Sequence, residues 1–196
     1  DNDGCKDSSE DNDDDNDGVE DEDDSCLSSY SPPRNWWTSD SSNDLDGDGC
    51  RDADEDSDDD GDGFDDSTDD CNKVAGTSTL GTYTGCIDSD GDGWADIEDS
   101  CPQEAGNSTM SGLLACPDRD GDGWADSIDD LPDEPTQWID QDGDGYGDNA
   151  DGINPDDCVS TSGTSMLDRY GCPDPDADGY SSADTIWTVE DGADAF

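Results

Sequence analysis

The chain has no histidine, and it sets only six lysines and arginines against 60 aspartates and glutamates, a net charge of −54 over 196 residues. So few cations cannot neutralise a phosphate backbone, which excludes nucleic acid as a partner. An anionic membrane surface would repel the chain. Long apolar runs are also missing: nothing approaches the roughly 20 apolar residues that span a bilayer, so no membrane insertion is expected. Leu, Ile, Val and Phe total 19 residues, about a tenth of the chain. Below roughly a fifth, at high net charge, a chain ordinarily stays disordered. With no histidine, no nucleophile motif and too little apolar residue for a pocket, an enzyme is not expected. Nine cysteines are present, but the shortest interval between two of them is 14 residues. That is unlike the close Cys spacing of zinc sites. Either the chain is a disordered acid, or cations and disulfides hold it.

What is there is a pattern, D-x-D-x-D-G-x-x-D-x-x-(D/E). It reads DSDGDGWADIED from Asp88, DRDGDGWADSID from Asp118 and DQDGDGYGDNAD from Asp140. Earlier copies begin at Asp13, Asp44 and Asp58; a later one, DPDADGYSSADT from Asp174, lacks the last two acids. The N-terminal DNDGCKDSSE fits a copy without its first two places, and the chain is expected to be a processed product or a segment of a longer protein. Cys5 and Cys50, Cys26 and Cys71, and the motifs at Asp13 and Asp58 are each 45 residues apart; from Asp88 to Asp118 the period is 30. Fixed periods of this kind signal a modular array. Residues 1–71 read as duplicated 45-residue acidic segments with a linker at 27–43. Residues 72–131 hold two 30-residue repeats, 132–184 two further copies, the last degenerate, and 185–196 a tail. Little regular secondary structure is expected: tandem cation-binding loops pinned by disulfides in an elongated array, with short strands at 83–87 and 185–189 as the exceptions.

The spacing suits Ca2+, a hard cation that takes six to eight oxygens at ~2.3–2.6 Å. Acids at places 1, 3 and 5 let a chain wrap the ion, glycine at place 6 permits the sharp turn, and place 7 offers its carbonyl. Places 9 and 12 close the shell. The expected ligands are Asp13, Asp15, Asp17, Asp21 and Asp24; Asp44, Asp46, Asp48, Asp52 and Glu55; and Asp58, Asp60, Asp62, Asp66 and Asp69. They continue with Asp88, Asp90, Asp92, Asp96 and Asp99; Asp118, Asp120, Asp122, Asp126 and Asp129; and Asp140, Asp142, Asp144, Asp148 and Asp151. The last copy supplies Asp174, Asp176 and Asp178, and the N-terminal one Asp1, Asp3, Asp7 and Glu10. About six to eight ions are implied. Random acidic sequence would match the acids, but not a glycine in register in all seven full-length copies. Place 7 is often aromatic, as in Phe64, Trp94, Trp124, Tyr146 and Tyr180; these rings are expected to cover neighbouring modules.

Ser/Thr/Gly-rich linkers lie between the motifs, flanked by cysteines. One disulfide register crosses the motifs: Cys5–Cys26, Cys50–Cys71, Cys86–Cys101 and Cys116–Cys158. The other crosses the linkers: Cys26–Cys50, Cys71–Cys86, Cys101–Cys116 and Cys158–Cys172. The second is preferred, because three of its loops match in length and nothing is needed at Leu131. It leaves Cys5 to a partner elsewhere. Asn107-Ser108-Thr109 is an N-glycosylation sequon, and the Ser/Thr clusters at 77–79 and 160–165 are candidate O-glycan sites. Cysteine-rich, core-poor chains belong to oxidising, extracellular settings.

The copies DSDGDGWADIEDSCP and DRDGDGWADSIDDLP resemble thrombospondin type 3 repeats of the bacterial kind, and the resemblance runs from Asp1 to about Asp184. It implies a chain wrapped around a string of Ca2+ ions, pinned by disulfides, with an extracellular spacer or adhesive role. The departures are Leu131, where a cysteine is expected, and Ser182 and Thr185, where acids are; Asp184 is the acid nearest to replace them. The function expected is a calcium-stabilised extracellular stalk or filament element, joined end to end or to neighbouring modules, with glycans as possible attachments. The alternative is calcium-dependent adhesion or carbohydrate binding through Trp36 and Trp37 or the C-terminal tail.

Overall fold

Aspartate and glycine at this density give neither a helical nor a strand period to build on. The structure, a computed structural model that describes residues 12–27 and 37–194, has no helix among those residues and only one isolated parallel bridge, between Ser182 and Asp194. The strands expected at 83–87 and 185–189 do not form. In the first, Gly85 takes a left-handed φ of 72°, and Thr84 accepts the backbone N–H of Asp70 and donates its own N–H to the Asp70 carboxylate rather than pairing with a neighbouring strand. In the second, the Asp184 carboxylate takes up the N–H groups of Ile186 and Trp187 and turns the chain. No helix among the described residues is long and apolar enough to cross a membrane.

The chain divides into two units, Asp1–Glu98 and Asp99–Phe196. Their interiors invert the usual order. Asp17 and Asp44 are 1 % exposed, while Ile97 is 72 % and Ile186 88 % exposed. Apart from Trp37, the few buried apolar groups among the described residues are small: Ala95, Ala115, Ala125, Ala193 and the half-cystines Cys50, Cys86, Cys116 and Cys172. Such a core has little apolar area to bury, and something else must hold it.

Four disulfides, Cys26–Cys50, Cys71–Cys86, Cys101–Cys116 and Cys158–Cys172, each cross a linker. They point to an oxidising, extracellular environment. Cys5 lies outside the described residues. The three shorter loops share one internal arrangement. A buried serine, Ser78, Ser108 or Ser165, accepts the N–H of Cys86, Cys116 or Cys172. The same hydroxyl donates to the carbonyl of Tyr83, Leu113 or Arg169. Glycine precedes by two: a Cβ on Gly76, Gly106 or Gly163 would stand 1.9–2.1 Å from the carbonyl carbon of the second cysteine. These stretches are therefore knotted loops, and the three serines are unavailable to glycans. Asn107 and Thr77 remain exposed.

Where the cystine is missing, Leu131 and Trp138 occupy its two places, and Trp138 stacks on Trp124 at 5.8 Å between centroids and 9° between planes. Tyr146 meets Tyr170 of the following linker at 5.6 Å, and Trp94 lies against Gly81. Trp94, Trp124 and Tyr146 thus cover linkers within their own units, filling space that aliphatic residues fill elsewhere, while Tyr180 is exposed.

Candidate metal centres

Each motif is shaped by its own carboxylates. The place-1 aspartate accepts the N–H of the place-6 glycine in all seven copies, from Gly18 on Asp13 at 3.2 Å to Gly179 on Asp174 at 2.9 Å. The place-5 aspartate accepts the N–H of place 7, as Trp94 gives to Asp92 at 2.9 Å. The place-9 carboxylate takes the N–H of place 2, as Asp96 does from Ser89 at 2.8 Å. Glycine at place 6 has φ between 85° and 105°. Place 4 is also left-handed in every copy: Asn16, Gly47, Gly61, Gly91, Gly121, Gly143 and Ala177. The recurring glycine at place 4 was a signal that the ligand-centred reading of the sequence passed over.

These bonds engage both oxygens of several place-1 acids, such as Asp88 and Asp118, and leave oxygens of other acids in the motifs without a partner. Oxygens of Asp17, Asp60, Asp69, Asp90, Asp120, Asp122, Asp142 and Asp156 are buried without a hydrogen-bond partner. An orphaned buried carboxylate oxygen is costly unless a cation meets it. In the triads Asp13/Asp15/Asp17, Asp44/Asp46/Asp48, Asp58/Asp60/Asp62 and Asp88/Asp90/Asp92, one oxygen from each acid lies within 4.8 Å of the others. Burial, and then the neighbouring carboxylates, push Asp24, Asp46 and Asp156 up to about 6. The same two causes raise Asp15, Asp60, Asp120, Asp129 and Asp142 above the ordinary range. Several aspartate clusters can therefore hold metal ions, and an all-oxygen donor set selects hard divalent cations over softer ones.

Place 12 is where structure and sequence register part. A local signature recurs there: the N–H bonds the carbonyl of place 8, and the carboxylate accepts the N–H two residues on. Asp129 shows both, to Ala125 at 3.1 Å and from Leu131 at 2.7 Å. In the Asp140 motif the register expected Asp151, but Asp151 is exposed and Asp156 carries the signature. Asp156 bonds Gly147 at 2.8 Å, accepts from Cys158 at 2.7 Å and is buried. The intervening loop is clamped by Gln137, which is 1 % exposed. Its amide donates to the carbonyls of Asn149 and Ile153 and accepts the N–H of Asn149.

In the Asp44 motif the register expected Glu55. There the N–H groups of Glu55 and Asp56 both reach the Arg51 carbonyl, at 3.0 and 3.2 Å, and the Asp56 carboxylate accepts the N–H of Asp58 at 2.9 Å; burial, and then Asp48 and Asp56 among the neighbouring charges, raises Asp46. In the last motif Ser182 stands at place 9, and the acid whose N–H meets the place-8 carbonyl is Asp194. The Asp194 N–H bonds Ser181 at 2.9 Å, and its charge raises Asp176. Asp184 is occupied: the N–H groups of Trp187 and Ile186, and then Arg169 at 2.8 Å, hold its carboxyl down to about 2. Asp99 accepts the N–H of Cys101 at 2.6 Å. Asp1, Asp3, Asp7, Glu10 and Trp36 lie outside the described residues.

The chain matches no protein-family model and no curated protein sequence.

Proposed function

We propose that this chain is a calcium-stiffened structural element of the extracellular space, a tandem array of ion-binding loops that serves as a stalk or filament building block. The observation that carries the reading is the set of buried, partnerless carboxylate oxygens converging inside a chain with almost no apolar core. Calcium fits them as the commonest extracellular hard divalent cation with flexible oxygen coordination. The resemblance to thrombospondin type 3 repeats supports the same assignment. At a calcium concentration about a hundredfold above its dissociation constant, each site contributes ~2.7 kcal/mol to folding. Several such sites offset the self-repulsion of so acidic a chain. Trp37 is 9 % exposed and so offers no open platform for a sugar ring, which favours the structural role over adhesion at this point. The exposed Asn107 sequon is the place where an N-glycan fits.

Small-angle X-ray scattering of the purified chain tests the reading. In millimolar calcium the profile is expected to be folded, and in chelator a coil; the forward scattering measures end-to-end association. One coil-like profile in both conditions would end the proposal.

A further inference from the structure

The motifs at Asp44 and Asp58 abut with no linker between them, and no disulfide joins residues within 51–70. A different group of acids meets there. We propose that Asp52, Asp56 and Asp59 hold an additional hard divalent cation of the calcium class at this junction, distinct from the ions of the two motifs. One carboxylate oxygen from each of the three lies within 4.8 Å of the others. Asp59 is 4 % exposed, and its Oδ1 is buried with no hydrogen-bond partner; so is Oδ2 of Asp56. Lys73 reaches the other oxygen of Asp59 at 2.8 Å, but this ammonium is itself 64 % exposed and neutralises one of three charges. Two negative charges remain, which a divalent cation neutralises.

Asp59 belongs to neither set of places that wraps an ion within a motif. It stands at place 2, where other copies carry Leu45, Ser89, Arg119, Gln141 and Pro175. The acid at place 2 recurs once, at Asp14. Counting back 45 residues from Asp52, Asp56 and Asp59 gives Asp7, Asp11 and Asp14, so the duplication carries the whole triad. In both places one motif runs straight into the next. An ion held by Asp52 and Asp56 from one motif and Asp59 from the following one ties the two together, the task that cystine loops perform elsewhere. Asp56 then lies between this ion and that of the Asp44 motif, as a bridging carboxylate.

The test is an ion count on the full chain by native mass spectrometry and calcium titration. Asp59→Asn keeps the side chain's volume and leaves every motif ligand in place. It is expected to lower the count by one with the fold retained, while Asp65→Asn, an exposed charge-matched control, leaves it unchanged. Lys73→Gln removes the competing ammonium and is expected to keep the count and tighten that ion several-fold. An Asp59→Asn chain with the wild-type count overturns the junction site alone. A wild-type chain that binds no calcium overturns it together with the motif reading. A Lys73→Gln chain that binds no tighter means that the ammonium competes with no ion at Asp59, and one that gains an ion means that Lys73 is itself the cation of this pocket; either overturns it as well.

Discussion

The Asp44–Asp58 stretch and the stretch from Asp118 to Asp194 use the same loop in opposite ways. In the first, acids follow one another with scarcely a residue to spare, and Asp56 closes its loop four residues after Asp52. In the second, the chain leaves the loop and returns. The interval is still three residues from Asp126 to Asp129, and then grows to eight from Asp148 to Asp156 and twelve from Ser182 to Asp194. The closure tolerates this range because two backbone groups define it, the carbonyl of place 8 and the N–H of the closing acid. What lies between is free to become a clamp, as at Gln137, or a docked tail, as at Arg169, whose guanidinium bonds Asp184 and lies over the Trp187 ring.

The largest difference between an ion-dependent loop and an ordinary acidic one lies in its pH response. Asp24, Asp46 and Asp156 sit at about 6 in the fold and near the ordinary carboxylate value when unfolded. Between roughly pH 4 and 6 the ion-free fold binds more protons than the unfolded chain, so its stability falls as pH rises through that window. Calcium competes with protons for the same oxygens and reverses the slope. Near-UV circular dichroism is expected to show tryptophan order regained in chelator as pH drops from 7 towards 4, and order in calcium weakening as pH drops through 6. Slopes of the same sign in both conditions would contradict the ion-site reading in both regions.

Next in size is the cystine. Replacing Cys101 and Cys116 by serine opens a 15-residue loop and is expected to cost ~3 kcal/mol in calcium, by denaturant titration. Trp138→Ala, which removes the ring standing where the sister linker has its second cysteine, is expected to cost ~1 kcal/mol through the lost Trp124 stack. Equal losses would mean that the ring pair is a full substitute for the disulfide.

Much of this was legible in the sequence, for a physical reason. Places 1 to 7 are local: the carboxylates of places 1 and 5 bond backbone N–H groups within five residues, as Asp88 does with Gly93. Spacing alone therefore reports the geometry. The bond to the place-8 carbonyl survives insertion, so counting twelve places lands on the residue that makes it at Asp69 and Asp129, shares it between Glu55 and Asp56, and misses it at Asp151, where Asp156 makes it. Asp194 was further out of reach, since eleven residues intervene after Ser182. The linkers hid more. Ser78, Ser108 and Ser165 look like flexible filler by composition, yet each lies eight or seven residues before a cysteine whose N–H it binds. That fixed offset, with glycine two residues earlier, was the available signal.

A smaller effect separates the two closing assignments in the Asp140 motif. Asp156→Asn removes an inward carboxylate oxygen and is expected to weaken one calcium ion at least tenfold, about 1.4 kcal/mol. Asp151→Asn, on the exposed loop, is expected to leave the titration unchanged. Terbium luminescence sensitised by the nearby tryptophan and tyrosine rings reads both. The reverse ranking would restore the twelve-place register and remove the case for insertion-tolerant closure.

The last motif carries the smallest and most local test. Its place 4 is Ala177, held at φ 61° where five other copies have glycine. A left-handed conformation costs a residue with a Cβ about 1 kcal/mol or more, partly offset by the greater unfolded-state freedom of glycine. Ala177→Gly is therefore expected to stabilise the chain by up to ~1 kcal/mol in calcium, seen as a shift of the denaturation midpoint without change of slope. The gain should vanish in Asp194→Asn, because the strain matters only while the loop is closed around its ion. A gain of the same size in both backgrounds would mean that Ala177 is strained by the turn alone, and that Asp194 does not belong to the site.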